Sequence, residues 1–122
     1  MGQVNSYKDL QVWQKSMEIV MAIYTETNTL PANEKYGLVS QIRRAVVSIP
    51  ANIAEGYGRN SSKSYAAFLK IACGSLYELE TELLIADKLN YIQPENKLTI
   101  LNAIEEVGKM LNSLIKKIDT YA

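Results

Sequence analysis

The residues best suited to chemistry lie in one segment, from Glu34 to Arg59, as a row of polar side chains at three- and four-residue spacing. This row, called the polar stripe below, consists of Gln41, Arg44, Ser48, Asn52, Glu55 and Arg59. A solvated helix face is usually rich in lysine and glutamate, whereas these side chains are short or fork-shaped and form hydrogen bonds in a fixed geometry. One interpretation is a recognition surface on which Arg44 and Arg59 contact phosphate. The alternative, which suits Asn52 and Glu55 better, is a hydrogen-bonded network within the fold or between subunits, including a Glu55–Arg59 ion pair.

Basic side chains are concentrated in the same part of the chain, although the whole chain carries 13 basic and 13 acidic residues. Residues 35–77 hold six basic residues and one acidic residue, whereas residues 78–106 hold seven acidic and two basic residues. Such a charge separation favours self-association or the capture of a polyanion. The predicted nucleic-acid contacts are Arg43, Arg44, Arg59, Lys63 and Lys70. Tyr57 and Tyr65 lie among them and offer rings for base stacking, although tyrosine and arginine are equally common anchors in protein interfaces.

The composition argues against catalysis and metal binding. Histidine is absent and Cys73 is the only cysteine. The chain therefore has no imidazole base, no zinc site of the Cys/His kind and no intramolecular disulfide. Glu78 and Glu82 place two carboxylates on one helix face, where a solvated acidic surface is a better interpretation than a divalent cation site. We predict a protein that is not an enzyme and that uses no metal or cofactor.

Length and hydropathy predict a single domain that covers residues 1–122. The N-terminal segment has no basic region followed by an apolar run, and the longest apolar stretches are far too short to span a bilayer. We therefore expect a soluble, cytoplasmic protein without a membrane partner.

Four amphipathic helices account for the chain, and no strand is predicted. Ser6 and Asp9 predict a capping box that opens the first helix, the second is predicted over residues 34–56, and Ser61 or Ser62 caps the third. Short turns join the helices, so neighbours in sequence should run in opposite directions. The predicted fold class is therefore all-α, an antiparallel up-down-up-down four-helix bundle.

Apolar side chains at helical spacing predict which face of each helix meets the core. In chain order these are Leu10, Trp13, Met17, Val20 and Tyr24; Leu38, Ile42, Ala45, Ile49 and Ile53; Tyr65, Phe68, Ala72, Leu76, Leu79, Leu83 and Ala86; and Leu101, Ile104, Gly108, Leu111, Ile115 and Ile118. Pro50 predicts a kink in the second helix, and Gly74 predicts a close approach of another helix to the third. A second apolar line widens the face of the fourth helix. A wide face fits a helix deep in the bundle or a helix at a subunit interface, and we favour the interface because the first helix is widened too. That line is Ile100, Val107, Leu114 and Tyr121, and Met17, Met21 and Ile23 widen the first helix in the same way.

Several short strings together resemble the four-helix-bundle family named for proteins encoded in intervening sequences of bacterial 23S ribosomal RNA genes, the S23-type proteins. The strings are Tyr7-x-x-Leu10-x-x-Trp13, Glu34-x-Tyr36-Gly37-Leu38, Gln41-Ile42-x-Arg44-Ala45, Ser48-Ile49-Pro50-x-Asn52-Ile53-Ala54-Glu55-Gly56, Arg59, and Gly74-Ser75-Leu76-x-Glu78-Leu79-Glu80. The resemblance covers nearly the whole chain and includes the polar stripe. It implies a bacterial bundle that assembles as a homopentameric barrel.

A related branch of that family contains the accessory protein of diversity-generating retroelements. The resemblance to this branch implies a positively charged surface that binds a reverse transcriptase and nucleic acid. This chain departs from that branch, because its formal net charge is zero and its isoelectric point is near 6.3.

Two functional hypotheses follow. In the first, the protein is a homo-oligomeric adaptor that binds RNA or DNA, because repeated subunits place several weak basic patches on one rim. In the second, it is a structural or protein-binding scaffold without nucleic-acid affinity, held together by basic and acidic segments that pair across subunits.

Overall fold

The computed structural model describes residues 3–120. Its helices are α1 (Gln11–Thr27), α2 (Leu38–Tyr57), α3 (Ser62–Lys88) and α4 (Pro94–Thr120). Short 3-10 turns at Tyr7–Asp9 and Ala32–Glu34 precede α1 and α2. Residues 3–120 contain no strand, so the prediction of an all-helical chain with four helices is confirmed. Among these helices, none is both long and apolar enough to cross a membrane.

The helices enclose one apolar core as a four-helix bundle. Each helix packs against the next in sequence, and α1 also packs against α4, which closes the bundle. Ile23, Ile42, Leu79 and Leu111, one from each helix, are fully buried in this core. A helix that contributes one apolar stripe has to cover it with neighbours on both sides, and the closed arrangement satisfies this for all four.

Specific contacts show which parts of the helices share an end of the bundle. On α2, Ser48 bonds to Ser75 of α3, whereas Gly56, farther along α2, lies against Phe68. Between α3 and α4, Leu76 lies against Gly108, and Lys70 pairs with Asp119 at 3.8 Å. The end of α2, the start of α3 and the end of α4 therefore lie together.

The face of the first helix that packs against the core differs from the predicted one. The predicted capping box of Ser6 and Asp9 is present, but it caps the 3-10 turn, and Leu10 adopts an extended conformation (φ −72°, ψ 125°) before α1 begins. The buried residues of α1 are Val12, Ser16, Ile19, Ile23, Glu26 and Thr27, whereas the predicted core residues Met17 and Tyr24 are exposed. The prediction assumed that only apolar residues face inward. Ser16 can do so because its hydroxyl donates to the Trp13 carbonyl at 2.8 Å.

The predicted core face of α2 is confirmed, with Ile42, Ala45, Ile49 and Ile53 all buried and Leu38 half-buried. Pro50 lies inside the helix and is buried as well. The helix begins at Leu38 rather than Glu34, because a separate 3-10 turn ends at Glu34. The Glu34 carboxylate instead accepts a bond from the Leu38 amide at 3.2 Å, which satisfies one free donor at the helix start.

On α3, Ser61 is the cap, and its hydroxyl accepts a bond from the Ser64 amide at 3.1 Å. The predicted core positions from Ala72 to Ala86 are buried, but Tyr65 and Phe68 are only half-buried, and Ala66 and Leu69 take the core positions there.

Helices approach one another closely at glycines other than Gly74. Within the subunit the prediction for Gly74 is wrong, because a Cβ atom added there would meet nothing within 4 Å. Close approach occurs at Gly56, where an added Cβ would lie 2.8 Å from the Phe68 Cβ, and at Gly108, where it would lie 3.3 Å from the Leu76 Cδ2. Glycine at these two positions lets α2 and α4 approach α3 closely.

The wide apolar face of α4 is accounted for within one subunit. Ile100 and Val107 from the second apolar line are buried together with Ile104 and Leu111, and Leu114 is half-buried. Tyr121, the last residue of that line, lies outside the described residues. Because α4 packs against both α1 and α3, it needs an apolar face that spans two neighbours, and this width does not indicate a subunit interface.

Candidate nucleic-acid interface

Arg43 ties α2 to the end of α1. Its Nε donates to the Thr27 hydroxyl at 2.9 Å, and one terminal nitrogen donates to the Asn28 side-chain oxygen at 2.9 Å and to the Tyr24 carbonyl at 3.4 Å. The guanidinium also lies over the Tyr24 ring, 4.5 Å from its centroid. All these contacts are within the subunit, so this arginine has few free donors for a phosphate.

The polar stripe divides into a bonded centre and exposed ends. At the centre, the hydroxyls of Ser48 and Ser75 lie 2.8 Å apart, and the Asn52 amide donates to the Ser48 hydroxyl at 2.9 Å and to its carbonyl at 2.8 Å. These three side chains join α2 to α3. Gln41 and Arg44 are exposed, and Arg44 makes no hydrogen bond or ion pair with any residue between 3 and 120.

At the other end of the polar stripe, Arg59 is held between two side chains. One terminal nitrogen lies 3.2 Å from the Glu55 carboxylate, which is the predicted i, i+4 ion pair. The guanidinium carbon also lies 4.8 Å from the centroid of the Phe68 ring. Both charged partners are about half exposed, so the pair contributes little to stability and leaves several Arg59 donors open to solvent.

The two predicted lysine contacts lie on α3, next to this end. Lys63 is exposed and makes no ion pair within the described part of the chain. Lys70 is exposed too, with Asp119 at 3.8 Å. The rings of Tyr57 and Tyr65 pack edge to face against each other with centroids 6.1 Å apart. The Tyr65 ring is half-buried against the core, so part of it is not available to a base. Burial, with a smaller contribution from Tyr57, raises the pKa of its hydroxyl.

The structure does not bring the five predicted contacts into one patch, but it does separate charge along the bundle. One half of the bundle is formed by residues 3–19, 48–75 and 107–120, and it carries eight Lys or Arg and four Asp or Glu. The other half is formed by residues 20–47 and 76–106, and it carries five Lys or Arg and nine Asp or Glu. We call these the basic half and the acidic half. Arg59, Lys63 and Lys70 lie in the basic half, and Arg43 and Arg44 lie in the acidic half.

Sequence reasoning missed the five other basic residues of the basic half, which are Lys8, Lys15, Lys109, Lys116 and Lys117. Nothing in their local sequence distinguishes them, because they come from the two ends of the chain. They share an end of the bundle with Lys63 because the 3-10 turn at the start of the chain packs against α2 and the end of α4 packs against the first half of α3.

A buried carboxylate lies in the acidic half. Glu82 on α3 is 7% exposed, and its Oε1 atom is buried without a hydrogen-bond partner. Burial, with a smaller contribution from the Glu78 carboxylate, raises its pKa from 4.5 to about 7. Glu78 and Glu82 thus do not form a solvated pair as the sequence suggested. Within residues 3–120, no group of three or more potential metal ligands lies together.

A protein family and a solved structure are similar to this chain. The model of the family of 23S rRNA-intervening sequence proteins matches residues 8–113. A comparison with curated proteins finds no match. Among solved structures, the chain is similar to a protein of unknown function from the S23 ribosomal protein family of Bacteroides thetaiotaomicron. The two are 33% identical and superpose with a TM-score of 0.79 over 86% of this chain and 98% of the other. Because the family model covers most of the sequence and the related structure has the same fold, the chain belongs to the family of 23S rRNA-intervening sequence proteins.

Proposed function

We propose that this protein is a non-enzymatic, cytoplasmic adaptor that binds nucleic acid, RNA above all, as a homo-oligomer of antiparallel, up-down-up-down bundles. The observation that carries the proposal is the basic half of the bundle. Five subunits, the number that the family resemblance implies, would place five copies of this surface on one rim.

The basic half suits a phosphate backbone better than any single motif does. Lys63 is exposed and unpaired within the described residues, and Arg59 keeps donors free beside its ion pair. An isolated subunit with no net charge would bind a polyanion weakly, because the acidic half offsets the attraction. Repetition on a ring changes this, since a second contact made by a tethered site is intramolecular and adds avidity.

The accessible surface of the subunit supports self-association. The chain exposes 7572 Å², whereas a compact monomer of 13.7 kDa is expected to expose about 6600 Å². The excess of roughly 1000 Å² is similar to the area of about 800 Å² that one partner buries in a typical stable interface. Part of the exposed surface is apolar, including Met21, Ile71, Tyr77 and Leu98, each more than half exposed.

The proposal is tested by fluorescence anisotropy with a labelled structured RNA and a labelled single-stranded DNA, at low and near-physiological salt. The test variant combines Lys63→Gln and Lys117→Gln in the basic half. The matched control combines Lys35→Gln and Lys88→Gln, which removes the same charge from the acidic half. We expect salt-sensitive binding that the test variant weakens, with the slope of log K against log salt reduced by about one for each phosphate that the variant no longer neutralises. Absence of binding at low salt, or equal losses of affinity in both variants, would refute the nucleic-acid function.

A protein-binding scaffold without nucleic-acid affinity is the second candidate. The observation that favours it is the exposed apolar surface on α3 and at the residue that follows it. Ile71, Tyr77, Leu84, Ile85 and Leu89 are each at least 41% exposed. Such a surface fits a protein partner, and the retroelement branch makes a reverse transcriptase the first partner to test. An oligomer that binds neither RNA nor DNA at low salt would favour this candidate.

A further inference from the structure

A groove runs between α1 and α4 on the outside of the bundle. It has two parts, of about 240 Å³ and 360 Å³, which are continuous because they share Ala22, Thr99 and Ile100. We call it the α1–α4 groove, and its apolar lining consists of Ile19, Met21, Ala22, Ile100, Ala103 and Val107. These volumes are near the lower end of the range for small-molecule sites. The groove therefore has room for a slender ligand.

A carboxylate that is more than nine-tenths buried lines this groove. Glu26 is 7% exposed, yet its side chain forms no hydrogen bond or ion pair with any residue between 3 and 120. Its oxygen atoms are not sealed inside the bundle, since the Oε1 atom of Glu82 is the one fully buried side-chain atom without a partner in that range. Glu26 can therefore be reached from the groove that it lines. A carboxylate that has lost most of its hydration is stabilised by a charged donor, so Glu26 indicates a cationic ligand.

The other charged side chains of the groove lie in its second part. Glu18 is exposed and makes no ion pair within residues 3–120, whereas Lys15 on α1 pairs with Glu106 on α4 at 3.2 Å. Three carboxylates and one ammonium group thus line the groove, which leaves two negative charges. Glu18 and Glu26 are eight residues apart, or about 12 Å along α1. Apolar side chains of both helices line the groove between these two carboxylates.

We propose that the α1–α4 groove binds a linear aliphatic polyamine. One terminal ammonium group lies at Glu26, the other lies at Glu18, and the methylene chain between them covers Ala22 and Ile100. Such a molecule matches the order of charged and apolar surface in the groove, because its methylene groups leave water at the apolar lining while each end meets a carboxylate. The site is separate from the proposed nucleic-acid surface and requires neither RNA nor an oligomer.

Two other occupants fit the groove less well. A compact divalent cation needs several oxygen ligands at one point, but no group of three or more potential metal ligands lies together within residues 3–120. A helix of a partner protein would have to displace the Lys15–Glu106 ion pair, which joins α1 to α4 at this groove. A flexible chain can lie beside that pair and leave it intact.

The charged part of the site is tested by isothermal titration calorimetry with spermidine, a polyamine with an ammonium group at each end of an aliphatic chain. Glu26→Gln should keep its fold, which circular dichroism checks, because the carboxylate has no partner to lose. Its affinity for spermidine should be about tenfold weaker than that of wild type or weaker still. The matched control is Glu80→Gln, which removes the same charge from α3, outside the groove. It should bind spermidine as wild type does.

The apolar part of the site is tested by Ala22→Leu. Ala22 is exposed on α1, and leucine is nearly as good a helix former as alanine, so the bundle should fold normally. The larger side chain would occupy the space of the methylene chain, and we expect spermidine binding to weaken by about tenfold. The matched control is Ala67→Leu, at an exposed position on α3 that does not line the groove. It should leave the affinity unchanged.

The outcomes separate this proposal from the proposed function. Saturable binding that Glu26→Gln and Ala22→Leu weaken, and that the two control variants do not, supports the polyamine site. Absence of saturable binding at low salt, or equal affinity in each test variant and its control, would overturn it. Full displacement of spermidine by Mg²⁺ at the same concentration of charge would also overturn it, because the attraction would then be that of the acidic half in general. The titrations contain no nucleic acid, so RNA binding is decided separately by anisotropy.

Discussion

Replacement of Glu82 by glutamine should make the isolated subunit more stable at alkaline pH. The carboxyl group is 7% exposed and its Oε1 has no partner, and its pKa is raised from 4.5 to about 7. A difference of about 2.5 units, at about 1.4 kcal/mol for each unit, corresponds to roughly 3 kcal/mol. This is the free energy by which ionisation of Glu82 opposes folding. Glutamine removes that penalty but leaves one buried polar atom of its amide without a partner at the Oε1 position, at a cost of about 1 kcal/mol. We therefore expect a net gain of about 2 kcal/mol.

The sign of the pH dependence follows from which state holds the proton. Between about pH 4.5 and pH 7, folded Glu82 keeps its proton while unfolded Glu82 has lost it. The folded state therefore binds more protons, so the free energy of unfolding falls as the pH rises through this window, and the loss is complete above about pH 7. The Glu82→Gln variant lacks this contribution. Its advantage should be largest near pH 8 and should disappear near pH 5.

The assay is urea denaturation followed by circular dichroism from about pH 5 to pH 8, at protein concentrations low enough that sedimentation detects only single subunits. Low concentration matters because association between subunits would add to the free energy of unfolding. The control is Glu18→Gln, since Glu18 is exposed on α1 and makes no ion pair within residues 3–120. A Glu82→Gln variant with no advantage over wild type near pH 8, or with the same advantage near pH 5, would contradict the reasoning.

Two further substitutions test contacts inside the bundle by urea denaturation. Arg43→Ala removes three hydrogen bonds and a stacking contact between α2 and α1, and should lower the free energy of unfolding by about 2 to 4 kcal/mol. Arg44→Ala, at an exposed position without such contacts, should change it by less than about 0.5 kcal/mol, and equal effects would refute the structural role of Arg43. Gly56→Ala places a Cβ 2.8 Å from the Phe68 Cβ and should cost about 1 to 3 kcal/mol. Gly58→Ala meets nothing closer than 3.6 Å and should be nearly neutral, so a neutral Gly56→Ala would show that the helices can move apart.

Several elements of the fold were predictable because they depend on neighbours in sequence. The Ser6–Asp9 capping box, the Ser61 cap and the inward face of α2 all follow from side chains within one or two turns of one another. The phase of α1 was not predictable in this way. It depends on a buried serine that bonds to its own helix and on the extended Leu10, and hydrophobicity alone reports neither feature.

At the candidate nucleic-acid interface, the environment of each side chain depends even more on tertiary structure. Arg43 and Arg44 are adjacent in sequence and chemically identical, yet one is held by Tyr24, Thr27 and Asn28 while the other is exposed. A helix turns by about 100° at each residue, so neighbours in sequence face different surroundings. The position of α1 alone determines which of the two arginine side chains forms contacts within the subunit.

The sequence by itself determined the class of the fold, the family, and the absence of histidine, because composition, helical spacing and short motifs are properties of the chain. Tertiary structure decided which charges lie together. The basic residues of 35–77 are divided between the two halves of the bundle, and Lys8 and Lys117 from opposite ends of the chain join Lys63. It also decided that Gly74 is left uncovered and that Glu82 is buried without a donor. Burial and electrostatic interaction depend on distances in space, and those distances are set by how the four helices pack.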